Sequence, residues 1–272
     1  MQIRDRVAIV TGGGGGIGSA IATALAARGA RVVVADLRGA PALAVAERIN
    51  SQYPNHACGV AADVTEAEDI GRTIKVAEDT FGPVELYFAN AGVSVGTGIA
   101  SSEPDWDLAT NVNLRAHIRA ARLLVPEWIK RGSGYFVSTA SAAGLLTELG
   151  SVVYSVTKHA AVAFAEWLNI TYGDQGIHVS CLCPMGVNTH MLFPERGATD
   201  PLDKLGQRAV TAAGNVLEPS VVATAVLAAI EEERFLILPH PEVIEMFRHK
   251  SSDYDRWLTG MRRYRKRLLA EL

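Results

Sequence analysis

Cysteine is scarce in this chain, with Cys58, Cys181 and Cys183 the only three in 272 residues. An odd number without C-x-x-C spacing excludes a fully paired disulfide framework and offers no zinc-binding pattern. The expectation is three thiols in a reducing compartment, and no metal. Long hydrophobic runs are also missing. Nothing approaches the roughly 18 apolar residues of a membrane-spanning helix, although 49% of the residues are hydrophobic, enough for one sizeable core. The short run Val7–Val10, preceded by Arg4, Asp5 and Arg6, is too short for a signal peptide. Charge of one sign is lacking as well: a net formal charge of −3 gives no general attraction to nucleic acid or to an acidic membrane. No Pro/Ser-rich linker and no internal repeat divides the chain. These absences point to one soluble, cytoplasmic domain over residues 1–272, with neither nucleic-acid nor membrane partners.

What the chain does contain is alternation. Short β-branched runs at Val7–Thr11, Arg31–Ala35, Ala57–Ala61, Leu86–Ala89, Tyr135–Ser138, His178–Leu182 and Phe235–Leu238 read as strands. Between them, Ile17–Arg28, Glu66–Thr80, Pro104–Arg131 and Val152–Tyr172 carry apolar residues at helical spacing. Strands that are apolar almost throughout, separated by helices, predict an α/β fold. The expected form is a Rossmann-type, doubly wound parallel sheet with helices on both faces. Leu192–Leu217 is richer in Gly, Pro and charge and is expected to be a mobile loop, part of a substrate lid over 190–217. Residues 241–272 are expected to form a helical tail.

The stretch TGGGGGIG, residues 11–18, follows the first strand and precedes the first helix. Taken alone it suits a slack turn. It equally suits a backbone that lets a pyrophosphate approach main-chain N–H groups at a helix N-terminus. Asp36 ends the second strand pattern, 18 residues beyond Gly18. A carboxylate there accepts hydrogen bonds from an adenosine ribose and repels a 2′-phosphate, which favours NAD over NADP. Otherwise it is a solvated loop carboxylate.

Tyr154 and Lys158 lie at i and i+4 in YSVTK and share a helix face. A nearby ammonium favours the phenolate, so Tyr154 is a candidate general acid/base, with Lys158 expected to lower its pKa. Such a pair is also common on ordinary helix surfaces. Ser141 follows the fifth strand, at the end where ligands bind in open α/β sheets. Asn113 interrupts a long helical pattern with a residue that prefers caps and turns. Each has an ordinary explanation too, as a loop serine and as a local helix irregularity.

Taken together, these motifs resemble the classical short-chain dehydrogenase/reductase family. TGGGGGIG matches its TGxxxGxG turn through Gly12, Gly16 and Gly18, with Ile17 between the last two. Asp63 and Val64 match its adenine-site element, and Asn90, Ala91 and Gly92 match its strand-four NAG motif. Asn113 stands in VNL, and Ser141, Tyr154 and Lys158 complete the family tetrad, with Ser141 the usual thirteen positions before Tyr154. After the sixth strand, Pro184 matches the proline of the family's cofactor-binding PG-x-V-x-T element, Met185 replaces its usual glycine, and Val187 and Thr189 match positions that contact the nicotinamide amide. The resemblance spans about residues 5–190, plus the strand near 235, and implies catalytic roles for all four tetrad residues. It also implies that Lys158 and Tyr154 contact the cofactor and that Asn113 holds a water linking Lys158 to solvent.

The implied activity is hydride transfer between NAD and a secondary alcohol or ketone. Rival readings on the same scaffold are a dehydratase or epimerase using bound NAD, or a non-catalytic NAD-binding protein. Ser141 and Tyr154 would hold the substrate oxygen. Met185 and Met191, with Leu192 and Phe193, suggest an apolar lid and a hydrophobic substrate. Ala160, Val162, Phe164 and Trp167 read as an exposed stripe, so a homo-oligomer is expected, and the resemblance points to a tetramer. In the tail, RRYRKR at Arg262–Arg267 reads chiefly as a solvated helix face. Trp257 and Met261 are candidates to pack over the substrate pocket or a neighbouring subunit.

Overall fold

The computed structural model describes residues 1–194, 197 and 200–271. Seven parallel strands form one sheet: β1 (Val7–Thr11), β2 (Arg31–Asp36), β3 (Ala57–Ala61), β4 (Leu86–Ala89), β5 (Gly134–Thr139), β6 (Ile177–Leu182) and β7 (Leu236–Ile237). Their spatial order is β3-β2-β1-β4-β5-β6-β7. The connections therefore run outward in opposite directions from β1 and β4. This reversal opens a crevice at the carboxyl ends of the strands.

The helices are α1 (Gly16–Ala27), α2 (Gly39–Gln52), α3 (Ala67–Phe81), α4 (Glu103–Thr110), α5 (Ala116–Arg131), α6 (Ala143–Leu146), α7 (Val152–Tyr172), α8 (Pro201–Ala213), α9 (Pro219–Glu231), α10 (Glu242–Ser252) and α11 (Tyr254–Ala270). Alternate strand residues serve opposite layers. Val10, Val34, Phe88 and Val137 pack with Ile21, Val45 and Val226 of α1, α2 and α9. Ile9, Val33, Tyr87 and Phe136 pack with Ile70, Leu124 and Leu168 of α3, α5 and α7. Burial on both faces explains why the strands are continuously apolar, each large side chain contributing roughly 1.5–3 kcal/mol. Among the described residues no helix is long and apolar enough to cross a membrane.

Two helical expectations need correction. The pattern Pro104–Arg131 is not one regular helix: a π-helical turn over Asn111–Arg115 separates α4 from α5. Within the expected loop Leu192–Leu217, Pro201–Ala213 is helical; residues 195, 196, 198 and 199 lie outside the described residues. The composition misled because its breakers sit where a helix tolerates them. Asp200 caps α8 by accepting from Leu202 N–H at 2.7 Å, and Pro201 occupies the first turn. Leu205 and Ala209 are buried, and Gly206 packs where a Cβ would meet the Leu149 carbonyl.

The glycines between β1 and α1 are not equivalent. Gly12 has φ +62°, and a Cβ on it would press against the Ala91 backbone at 2.9 Å. A Cβ on Gly18 would overlap the Gly12 carbonyl. Gly15 is extended, and a Cβ there would meet nothing within 4 Å. Gly18→Ala is therefore expected to cost roughly 1–3 kcal/mol, as overpacking does. Gly15→Ala should stay within about 0.5 kcal/mol of the parent protein, as an ordinary exposed substitution does. Urea unfolding of the two variants checks the contrast.

Candidate active site

Helix α1 has no side-chain cap and no acidic residue in its first turn, so the N–H groups at its start are available to an anion. The turn from β1 leads into it. Thr11 and Asn90 lock this turn to the neighbouring strand. The Thr11 hydroxyl donates to the Phe88 carbonyl and accepts from Asn90 and Ala91 N–H, all at 3.0–3.1 Å. The Asn90 amide donates to the Thr11 carbonyl at 2.9 Å and accepts from the Thr139 hydroxyl at 3.3 Å. Asn90 thus ties β1, β4 and β5 together. Asp36 accepts from Gly14 N–H at 3.0 Å and from Arg38 N–H at 3.2 Å, which holds its carboxylate against the glycine turn.

A cavity of about 710 Å³ runs from this turn to the start of α7. One end is walled by Gly12, Gly16, Ile17, Gly18 and Asp36, and the middle by Asn90, Ala91 and Gly92. Ser141, Tyr154 and Lys158 converge on the same space, and Pro184, Met185, Val187, Thr189 and Met191 close another side. The cradle suits a dinucleotide, because side chains on Gly12 and Gly18 would spoil the turn that admits the phosphates.

Three expected site residues stand back from this wall. Asp63 serves its own turn, accepting from Thr65 N–H at 2.8 Å. Val64 packs with Val112, Ala116 and Ala91. Asn113 is fully buried in the π-helical turn, a feature that often marks functional sites. Its side-chain carbonyl accepts from Val93 N–H at 2.9 Å. Its amide donates to the Val93 carbonyl at 2.9 Å and to the Thr157 hydroxyl at 3.1 Å. Asn113 therefore couples the strand-four loop to α7. A Cβ on Gly92 would lie 3.4 Å from the Asn113 oxygen and 3.5 Å from Lys158 Nζ, so this glycine keeps the space between them open.

On α7, Ser151 caps the first turn by accepting from Tyr154 N–H at 3.2 Å. One turn later Lys158 is 2% exposed; its ammonium donates to the Thr139 carbonyl at 2.9 Å and lies 5.6 Å from the Tyr154 ring centre. The expected lowering of the Tyr154 pKa by Lys158 does not appear. Burial holds the phenol well above its ordinary value, and the Glu148 carboxylate adds to this. The Ser141 hydroxyl opposes both. Burial also pulls Lys158 down to about 8. Desolvation outweighs the i, i+4 attraction because both groups have left water.

Sequence reasoning missed several contributors. His240 is buried: Nδ1 accepts from Met185 N–H at 3.1 Å, and Nε2 lies 3.0 Å from the Gly186 carbonyl and 3.1 Å from that of Asn215. It pins the loop in which Met185 replaces glycine. Glu148 enters the cavity from the loop before α7, and Tyr264 joins Trp257 and Met261 in covering the cavity from α11. The tail thus packs over the pocket of its own chain. Val162 of the expected stripe is buried inside the chain, and Phe164 is half-buried against Phe136; Trp167 is 53% exposed.

The Lys158 shift has a definite sign. Between about 8 and its ordinary 10.5, the unfolded chain binds the proton that the folded chain has lost, so stability rises with pH across that window. Relative to Lys158→Met, the wild-type protein should gain up to about 1.4 kcal/mol per pH unit there. Denaturant titrations of both proteins from pH 8 to 10 check this.

The chain matches the short chain dehydrogenase family over residues 6–199. It is 31% identical over 261 residues to 1-deoxy-11-beta-hydroxypentalenate dehydrogenase of Streptomyces exfoliatus, covering 93% of this chain and 90% of that protein. An uncharacterized oxidoreductase of Staphylococcus aureus is 30% identical over 233 residues, 85% of this chain and 94% of its own. A short chain dehydrogenase/reductase from Burkholderia phymatum, crystallised in complex with NAD, superposes with a TM-score of 0.85 at 29% identity, covering 94% and 96% of the two chains. The chain therefore belongs to the short chain dehydrogenase family of oxidoreductases.

Proposed function

We propose that the protein transfers a hydride between NAD and a secondary alcohol or ketone with an apolar skeleton. The observation that carries this reading is the convergence of Ser141, Tyr154 and Lys158 on a cavity that also contains the glycine turn. Bound there, the dinucleotide supplies the hydride chemistry. Tyr154 is placed to take the proton from a substrate hydroxyl, or to return it to a carbonyl oxygen. Ser141 orients that oxygen and shares its charge. The Lys158 ammonium, held on the Thr139 carbonyl, favours the phenolate once the phenol gives up its proton.

Asp36 supports NAD over NADP: its carboxylate faces the cradle, where a 2′-phosphate would meet a negative charge. Met185, Met191, Leu192, Trp257 and Met261 support an apolar substrate. The name of the Streptomyces exfoliatus relative, a dehydrogenase of a hydroxylated compound, is consistent with this class. Tyr154→Phe should lower turnover of secondary alcohols by roughly 100-fold or more while NADH still binds. Formation of reduced nicotinamide across an alcohol panel, with NAD and NADP in parallel, together with NADH titration, decides the case. Near-normal turnover by the variant overturns it.

We also propose a homo-oligomer, a dimer or tetramer, built on α4, α5 and α7. Leu108, Leu123, Val156, Trp167 and Ile170 support it, the last being 82% exposed. Sedimentation velocity should show an assembled wild-type protein and a smaller species for Trp167→Glu combined with Ile170→Glu. A wild-type monomer at micromolar concentration would contradict it.

A further inference from the structure

Glu148 is a carboxylate that the reaction itself does not require. It follows Thr147, a β-branched residue at φ +71°, where such residues are rarely found. The turn delivers Glu148 into the same cavity as Tyr154. Its backbone is clamped by the buried Ser155, whose hydroxyl accepts from Glu148 N–H at 2.9 Å and donates to the Ser151 carbonyl at 2.9 Å. Its carboxylate has no hydrogen bond and no ion pair among the described residues.

The surroundings make this arrangement costly. The cavity it shares with Tyr154 is also lined by Met185, Met191, Trp257 and Met261, while Leu202, His159 and Arg265 line a second hollow on its other side. Burial pushes Glu148 up to about 7, and Asp203 adds repulsion. A half-buried acceptor without a partner, held by a strained backbone beside the reacting phenol, is poorly placed for stability and well placed for recognition.

We propose that Glu148 determines specificity by accepting a hydrogen bond from a second donor group of the substrate, a hydroxyl or an ammonium, while the carbinol to be oxidised lies at Tyr154. The proposal rests on the alcohol/ketone reading above and narrows it: the preferred substrates are diols or amino alcohols on an apolar skeleton.

The test uses cyclic secondary alcohols that differ only in a remote substituent: hydroxyl, ammonium or methyl. The wild-type protein should favour the hydroxyl or ammonium compound over the methyl one by about tenfold or more in kcat/KM, the energy of one charge-assisted hydrogen bond. The difference should lie mainly in KM. Glu148→Leu should bring the ratio close to one. Glu148→Gln should keep a preference for hydroxyl and lose any for ammonium, which separates the two donors. Calorimetric titration of the same compounds into the NADH-loaded proteins gives a readout that does not depend on turnover. If no alcohol is oxidised yet the binding preference is present and falls in Glu148→Leu, the hydride-transfer reading fails and Glu148 recognition stands. A wild-type binding ratio near one, or a ratio unchanged in Glu148→Leu, overturns the proposal.

Discussion

Lys158 sits beneath the cleft with its ammonium 2.9 Å from the Thr139 carbonyl, and the rest of the site is built around that contact. Thr139 ends β5, so the bond fixes α7 against the carboxyl edge of the sheet. The Thr139 hydroxyl also reaches Asn90, which holds the glycine turn closed. From the other side, Asn113 grips both Val93 and Thr157, the residue before Lys158. One buried cation is thus linked to the sheet, the dinucleotide cradle and the π-helical turn.

That arrangement works against the intrinsic chemistry of its groups. Burial raises the Tyr154 phenol and lowers the Lys158 ammonium, so in the protein alone each is driven toward its neutral form. The phenol is well suited to hold a proton until positive charge arrives nearby. A site poised in this way responds strongly to a charged ligand, because low local dielectric magnifies each added charge.

The substrate end is assembled from distant parts of the chain. His240 fixes the backbone of Met185 and Gly186, and the bridge between Val187 and Leu217 continues the same loop. Trp257, Met261 and Tyr264 recur at helical spacing along α11 and turn one face toward the cavity. The opposite face carries Arg262, Arg263, Lys266 and Arg267, all exposed, which is why the basic run is solvated while its neighbours are not.

By itself the sequence determined the strand count, the parallel sheet, the glycine turn and the spacing of Ser141, Tyr154 and Lys158. All of these depend on local periodicity and on residues close in the chain. It could not reveal which of the six glycines in residues 12–18 are indispensable, since Gly18 is constrained by Gly12 and Gly15 by nothing. Nor could it show that Pro201 and Asp200 begin a helix rather than mark a loop, because the same residues serve both. Glu148, His240 and Tyr264 carried no motif, and Asp63 and Val64 carried one yet stand back from the cavity. Only the tertiary structure decided these matters. Burial and charge in the cleft depend on groups as far apart in sequence as Thr139 and His240, and no local pattern records which of them meet.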